Sequence, residues 1–300
     1  MNDEYFASLV NQVEGHIRRE VALISDDNVM KRSIAHSLLA PGKRLRGALL
    51  LMALESYGFF WQRGLYPAVA LEYVHCYSLI HDDLPCMDDD YLRRGVPTSH
   101  VVFGEAMALL TGDSLLTEAF GLLWRGCELG AYAHDVVMNM TRSLVSAAGI
   151  NGMISGQASE MNLASHLKDS STEDMVALLA QVHRQKTGAL LRAPFSFAAA
   201  IGNLPVEEAE LLDAFGTQFG LVFQIQDDLL DVVGDTETMG KQTGRDVRQE
   251  KITYPSLLGI DGAQQLLSQE TERLYAMLTR LDCTQDKLFN LITELDGRSR

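Results

Sequence analysis

Apolar residues recur every three or four positions near residues 5–24, 29–58, 67–83, 104–126, 134–150, 172–200, 206–232, 262–280 and 285–296, the spacing of a buried helix face. Alternating, β-branched stretches of the kind that form half-buried strands are nearly absent. Pro41, Pro67, Pro97, Pro205 and Pro255 fall at segment edges, where a missing N–H costs least and short loops can join antiparallel neighbours. No repeat of fixed period, low-complexity tract or linker interrupts the pattern. The expectation is an all-α chain, one domain over residues 1–300.

Two of these apolar runs end in acid: Asp82-Asp83-Leu84-Pro85-Cys86-Met87-Asp88 and Asp227-Asp228-Leu229-Leu230-Asp231. Asp227 and Asp231 lie four residues apart on a helical stretch, one turn apart on one face, with Gln224 three residues before Asp227. A solvated acidic helix end is the bland alternative, weakened by Leu229, Leu230, Val232 and Val233 among the acids. Asp82 and Asp88 are six apart and would diverge on an unbroken helix, but Pro85 breaks the ladder, so a loop can return Asp88 towards Asp82. Carboxylates set against apolar faces repel one another and lose hydration, so a fold that tolerates them usually supplies cations. The evident cation is Mg²⁺, brought with a polyphosphate substrate.

Composition narrows the partners. The chain has 25 Lys and Arg against 40 Asp and Glu, a net charge of −15, which disfavours nucleic acid or an anionic membrane. A polyanionic small molecule then needs local basic groups. Gly42-Lys43-Arg44-Leu45-Arg46 opens a helix after Pro41, where helix N–H groups favour an anion. Arg93-Arg94-Gly95 can grip phosphate through guanidinium forks, or equally well balance Asp88, Asp89 and Asp90. Lys186-Thr187-Gly188 lies in a segment that Pro194 is expected to kink, and Gly240-Lys241 and Lys251 follow the second acidic cluster. The start of the chain is acidic and mixed rather than signal-like, and no apolar stretch of bilayer length is evident, so no stable membrane insertion is expected. Cys76, Cys86, Cys127 and Cys283 have neither disulfide-framework nor metal-site spacing, which suits a reducing cytoplasm.

In order along the chain stand GKRLR at 42–46, YSLIHDDLPCMDDDYLRRG at 77–95, FGEA at 103–106, GDSL at 112–115, KTGAL at 186–190, FQIQDDLLD at 223–231, TYPSLLG at 253–259 and the C-terminal Arg298. The chain thereby resembles the trans-type isoprenyl diphosphate synthase family, most of all its bacterial farnesyl diphosphate synthases. The resemblance implies a bundle of mostly antiparallel helices around a deep cavity, a cytoplasmic homodimer, and head-to-tail condensation of isopentenyl diphosphate with dimethylallyl and geranyl diphosphate. It implies Mg²⁺, three ions per active site with substrate bound, held by Asp82, Asp88, Asp227 and Asp231. Arg93, Lys186 and Lys241 match ligands of the allylic diphosphate, with Asp228 and Lys251 assisting. Gly42, Lys43, Arg46, His75 and Arg94 match the isopentenyl diphosphate site, although a histidine on a helix face is more often structural. Thr187 and Gln224 match groups facing the carbocation, together with a carbonyl exposed near the kink. Tyr77, with Ser78 and the inserted Pro85-Cys86, matches the floor that stops chain growth; an ordinary core tyrosine is the alternative.

Some positions depart from the family pattern. Gly47 replaces a common proline, Glu160 ends GQASE where GQ-x-x-D is usual, Glu250 precedes Lys251 in place of glycine, Pro194 is unusual, and the chain ends Arg298-Ser299-Arg300. Geranylgeranyl diphosphate synthesis is the main alternative. A class I terpene cyclase and a non-catalytic regulatory subunit are more remote, because both aspartate motifs and the isopentenyl-site residues are present.

Overall fold

A computed structural model describes residues 4–25, 28–163, 171–233 and 251–297. Their backbone is overwhelmingly α-helical, with one small antiparallel hairpin. The helices are α1 (Glu4–Leu23), α2 (Val29–Leu38), α3 (Leu45–Ser56), α4 (Leu65–Asp82), α5 (Ser99–Phe103), α6 (Glu105–Glu128), α7 (His134–Ala148), α8 (Met153–Leu163), α9 (Thr172–His183), α10 (Ala189–Gly202), α11 (Val206–Val233), α12 (Tyr254–Leu278) and α13 (Asp286–Gly297). The hairpin pairs β1 (Leu92–Arg93) with β2 (Val96–Pro97). Arg94 and Gly95 turn it with φ of 54° and 78°, the doubly left-handed turn that suits the twist of two strands.

Helix ends follow capping chemistry, and this is where the apolar pattern misplaces boundaries. The run expected over 29–58 breaks into α2 and α3, because Pro41 cannot donate and Arg44 takes a left-handed φ of 43°. The Arg44 guanidinium donates to the Leu38 and Ala40 carbonyls at 2.7 and 2.8 Å, satisfying acceptors at the end of α2. The helix expected from residue 262 begins instead at Tyr254. Thr253 and Ser256 form a reciprocal capping box with Pro255 in the first turn, and Gly259 kinks the helix at φ 71°. Helix α8 was not expected at all; Gly152 and Gly156 weaken its local signal.

The described residues divide into two compact units, the first drawn from residues 4–55 and 59–141, the second from residues 56–58 and 142–297. In the first unit α4 packs along α6. A Cβ on Gly112 would lie 2.1 Å from the His81 ring, so glycine is what lets these helices touch there. Buried Ala108, Leu115, Ala119, Leu122 and Leu123 line the α6 side. The expectation that no stretch reaches bilayer length is corrected here: α6 is long and apolar enough by length and composition to cross a membrane, with 39% of its apolar window buried. Its buried residues pack within the first unit, while Leu109, Leu110 and Trp124 stay exposed. In the second unit α11 runs between α10 and α12, and Phe195 meets Phe215 edge-on at 5.3 Å.

Candidate active site

At the first acidic motif, α4 ends at Asp82 and the chain folds back in a tight loop. The Asp88 N–H donates to the Asp82 carbonyl at 2.8 Å, and the Asp90 N–H to that of Asp83 at 3.2 Å. Asp82 and Asp88 are half-buried, whereas Asp83 is buried. Asp83 is a partner for Arg93: Nε donates to its Oδ1 at 2.7 Å and Nη2 lies 2.6 Å away, while Nη2 also reaches Asp90 at 3.1 Å. Burial pulls the Arg93 pKa down, but the hydrogen bond and charge of Asp83, with Asp90 and Asp82, raise it overall. The guanidinium expected to hold phosphate therefore also ties the motif's own loop.

Arg94, next in the hairpin turn, donates Nη1 to the Pro41 carbonyl at 2.9 Å. A Cβ on Gly42 would sit 2.3 Å from that nitrogen, so Gly42 makes room for it. His75 and Arg46 complete a cationic cluster within the first unit. Burial, then Arg46, Arg94, Arg93 and Arg44, hold the His75 pKa well below its ordinary value, so the imidazole is neutral. Burial pushes Arg46 down to about 10, opposed by Glu72 and reinforced by Arg94. Arg46 Nε is buried with no hydrogen-bond partner. Lys43 is exposed. Glu72, a buried carboxylate that the sequence pattern did not single out, accepts the Gly47 N–H at 3.0 Å. That bond explains one departure, because proline at 47 has no N–H to give.

In the second unit Asp227 and Asp231 are half-buried one turn apart on α11, and Asp228 is buried. Asp228 accepts from Gln224 Nε2 at 2.8 Å and from the Tyr254 N–H at 3.1 Å. Gln224, three residues before Asp227 on the same helix, donates to Asp228, four residues on, as an i,i+4 pair allows. Lys251 is half-buried two residues before the α12 cap. Gly240, Lys241, Glu250 and Arg298 through Arg300 lie outside the described residues.

Lys186 and Thr187 sit in a single π turn, Arg184–Gly188, between α9 and α10. Pro194, where the sequence predicts a kink, lies inside α10. Close packing accompanies the irregularity: a Cβ on Gly220 would lie 2.8 Å from Gly188 Cα, and one on Gly156 only 2.2 Å from the Lys186 nitrogen. The Lys186 ammonium pairs with Glu160. Just before the turn, His183 is buried and stacks edge-on against Tyr254 at 5.4 Å; burial, then Lys186, push its pKa down to about 3.

Tyr77 is buried on α4, edge-on to His81 at 5.7 Å, with its hydroxyl lacking a hydrogen-bond partner. Burial and Asp82 push that hydroxyl up to about 12. Ser78 donates to the His75 carbonyl at 3.0 Å. A small cavity of about 50 Å³ in the first unit is lined by Cys76, Ile80, Asp83, Arg93, Arg94 and Thr98, room for water rather than for a diphosphate.

An all-α chain with an arginine–histidine cluster whose Arg46 Nε is buried, and with two half-buried carboxylate pairs, carries the side chains that a diphosphate-handling enzyme needs. The sequence pattern of polyprenyl synthetase matches residues 27–293, and the chain belongs to that family. It is 40% identical over 269 residues to a farnesyl diphosphate synthase of Bacillus subtilis (strain 168), covering 90% of this chain and 88% of the relative. The crystal structure of a geranyltransferase from Legionella pneumophila superposes with a TM-score of 0.84 at 31% identity, covering 100% of this chain and 97% of that one. A geranyltransferase from Helicobacter pylori, complexed with magnesium and isoprenyl diphosphate, gives a TM-score of 0.80 at 29% identity over 99% of each chain.

Among the described residues no group of three or more His, Cys, Asp and Glu forms a ready-made metal cage. Asp82 with Asp88 in the first unit, and Asp227 with Asp231 in the second, each offer hard oxygen donors too few to enclose an ion by themselves. That suits Mg²⁺, which keeps waters and takes remaining ligands from substrate phosphate. The residues present fit the ion.

Proposed function

We propose that the protein is a Mg²⁺-dependent farnesyl diphosphate synthase, adding isopentenyl diphosphate head-to-tail to dimethylallyl and then geranyl diphosphate. The observation that carries this reading is the Arg46–His75–Arg94 cluster. It gathers positive charge in a chain of net charge −15 and leaves a buried guanidinium donor unpartnered. A second, non-ionising diphosphate substrate satisfies that cluster; an enzyme that only cyclises one allylic diphosphate has no use for it.

Mg²⁺, three ions per site held by Asp82, Asp88, Asp227 and Asp231, would neutralise charge growing on the leaving diphosphate. Lys186 and Arg93, with Lys241 and Lys251, bind the allylic diphosphate, and their cationic groups stabilise it most as the C–O bond breaks. Thr187 and Gln224 present oxygen atoms to the allylic cation. Gly42, Lys43, Arg46, His75 and Arg94 orient isopentenyl diphosphate so that its double bond attacks, and a proton then passes to the released diphosphate. Asp83 and Asp228 hold the two motifs in place. The reading includes one catalytic domain over residues 1–300 around a deep apolar cavity that excludes water.

Tyr77 and Ser78 limit chain length, with Tyr77 as the floor. The protein works as a cytoplasmic homodimer. Exposed Val101, Val102, Leu109, Leu110 and Trp124 on α5 and α6 support the dimer, since an apolar face of this kind favours association.

Product analysis by mass spectrometry tests the reading: protein, Mg²⁺ and isopentenyl diphosphate are incubated with dimethylallyl, geranyl or farnesyl diphosphate. Farnesyl diphosphate should dominate, chelator should abolish it, and Tyr77→Ala should lengthen it. Cyclised hydrocarbon, or turnover in excess chelator, would overturn it.

A further inference from the structure

Helix α8 touches the π turn through two residues one helical turn apart. Gly156 lies so close to the Lys186 backbone that any Cβ there would overlap its nitrogen. Glu160, four residues on and on the same face of α8, takes the Lys186 ammonium in an ion pair, both side chains about one-quarter exposed. Single π turns inside helices recur at functional sites because they redirect a side chain without ending the helix. A lysine carries four rotatable carbons, so the turn alone does not fix where its charge goes. Gly156 sets the approach of the two backbones, and Glu160 then selects the direction of the ammonium.

We propose that Glu160 is the positioning residue for Lys186, holding the ammonium ready for the diphosphate that leaves in the reaction. The inference rests on the reading that Lys186 acts on the allylic diphosphate, and it gives the unusual acid of GQASE a task. Aspartate there, one methylene shorter, retains the charge, and the flexible lysine can extend to meet it. Glutamine retains the shape and loses the charge.

Steady-state kinetics with geranyl and isopentenyl diphosphate, alongside thermal unfolding, test this on Glu160→Gln, Glu160→Asp, Lys186→Ala and the double variant Lys186→Ala/Glu160→Gln. Glu160→Gln should lower kcat about 10- to 100-fold, the cost of a misplaced electrostatic group. The KM for isopentenyl diphosphate and the melting temperature should stay near wild type. Glu160→Asp should recover most of the loss. In the Lys186→Ala background Glu160→Gln should add nothing, since two residues acting as a unit are not additive. Wild-type kcat in Glu160→Gln beside an impaired Lys186→Ala sinks the positioning role and spares the reading of Lys186. Wild-type kcat in both sinks both. A further loss in the double variant shows that Glu160 acts by another route, and unfolding of Glu160→Gln assigns its charge to stability; either overturns the proposal.

Discussion

The two acidic motifs share a pattern in sequence and differ in how their inner aspartates are satisfied. Asp83 is buried against a charged guanidinium, Arg93, which also ties Asp90 across the loop. Buried Asp228 accepts from the Gln224 amide, four residues back on its own helix, and from the Tyr254 N–H at the start of α12. In both, the outer acids, Asp82 with Asp88 and Asp227 with Asp231, are half-buried. The burial pattern is the same: the inner aspartate is buried and its outer neighbours keep partial exposure. The cost of disturbing the anchor is not the same. An ion pair that loses one member leaves a poorly solvated charge, whereas a neutral hydrogen bond that loses one leaves only a dipole.

Testing the shared half of the comparison comes first, because it has the largest expected effect. Asp82→Ala and Asp227→Ala should each reduce kcat by about 10²- to 10³-fold, as for other groups that stabilise charge developing in a transition state. Steady-state turnover at saturating Mg²⁺ measures it. A variant near wild type would remove that motif from the catalytic charge.

The contrast itself is read by chemical denaturation of the anchors. Asp83→Asn leaves Arg93 with Asp90 alone and should cost about 3 kcal/mol of stability. Asp228→Asn removes an acceptor from the Gln224 amide or the Tyr254 N–H and should cost about 1–2 kcal/mol. Equal losses would erase the distinction between charged and neutral anchoring.

Acidification probes the buried imidazole that packs on Tyr254 beside the second motif. His183 has a folded pKa near 3 against an ordinary 6.5, so the unfolded chain takes up its proton first as pH falls. The stability it contributes is complete above about pH 6.5 and drains away towards pH 3. Between pH 7 and 5 the loss should be about 2 kcal/mol, and His183→Phe should flatten that part of the profile. An unchanged slope would show that the imidazole is charged in the fold.

The smallest effect belongs to the cluster beside the first motif. Arg46→Ala should raise the KM for isopentenyl diphosphate about 10-fold and leave kcat nearly intact, as for a group that binds ground state and transition state alike. A shift confined to the allylic substrate would reverse the assignment of the two diphosphates.

Much of this was legible in the sequence because it depends on short-range geometry. Helical periodicity marked α1, α4, α6, α7 and α11, since a helix that buries one face must repeat its apolar residues near 3.6. The four-residue spacing of Asp227 and Asp231, and the break that Pro85 makes between Asp82 and Asp88, follow from local backbone geometry. What tertiary structure decided concerns residues far apart in the chain. Helix α8 has little periodicity of its own and owes its place to the contact of Gly156 with Lys186. A π turn falls at Arg184–Gly188, ahead of Pro194. Partners such as Glu72 for the Gly47 N–H, 25 residues away, and Glu160 for Lys186, 26 away, leave no trace in spacing. A local pattern records which way a side chain points along its own helix; which opposite charge or donor it meets depends on how helices distant in sequence pack.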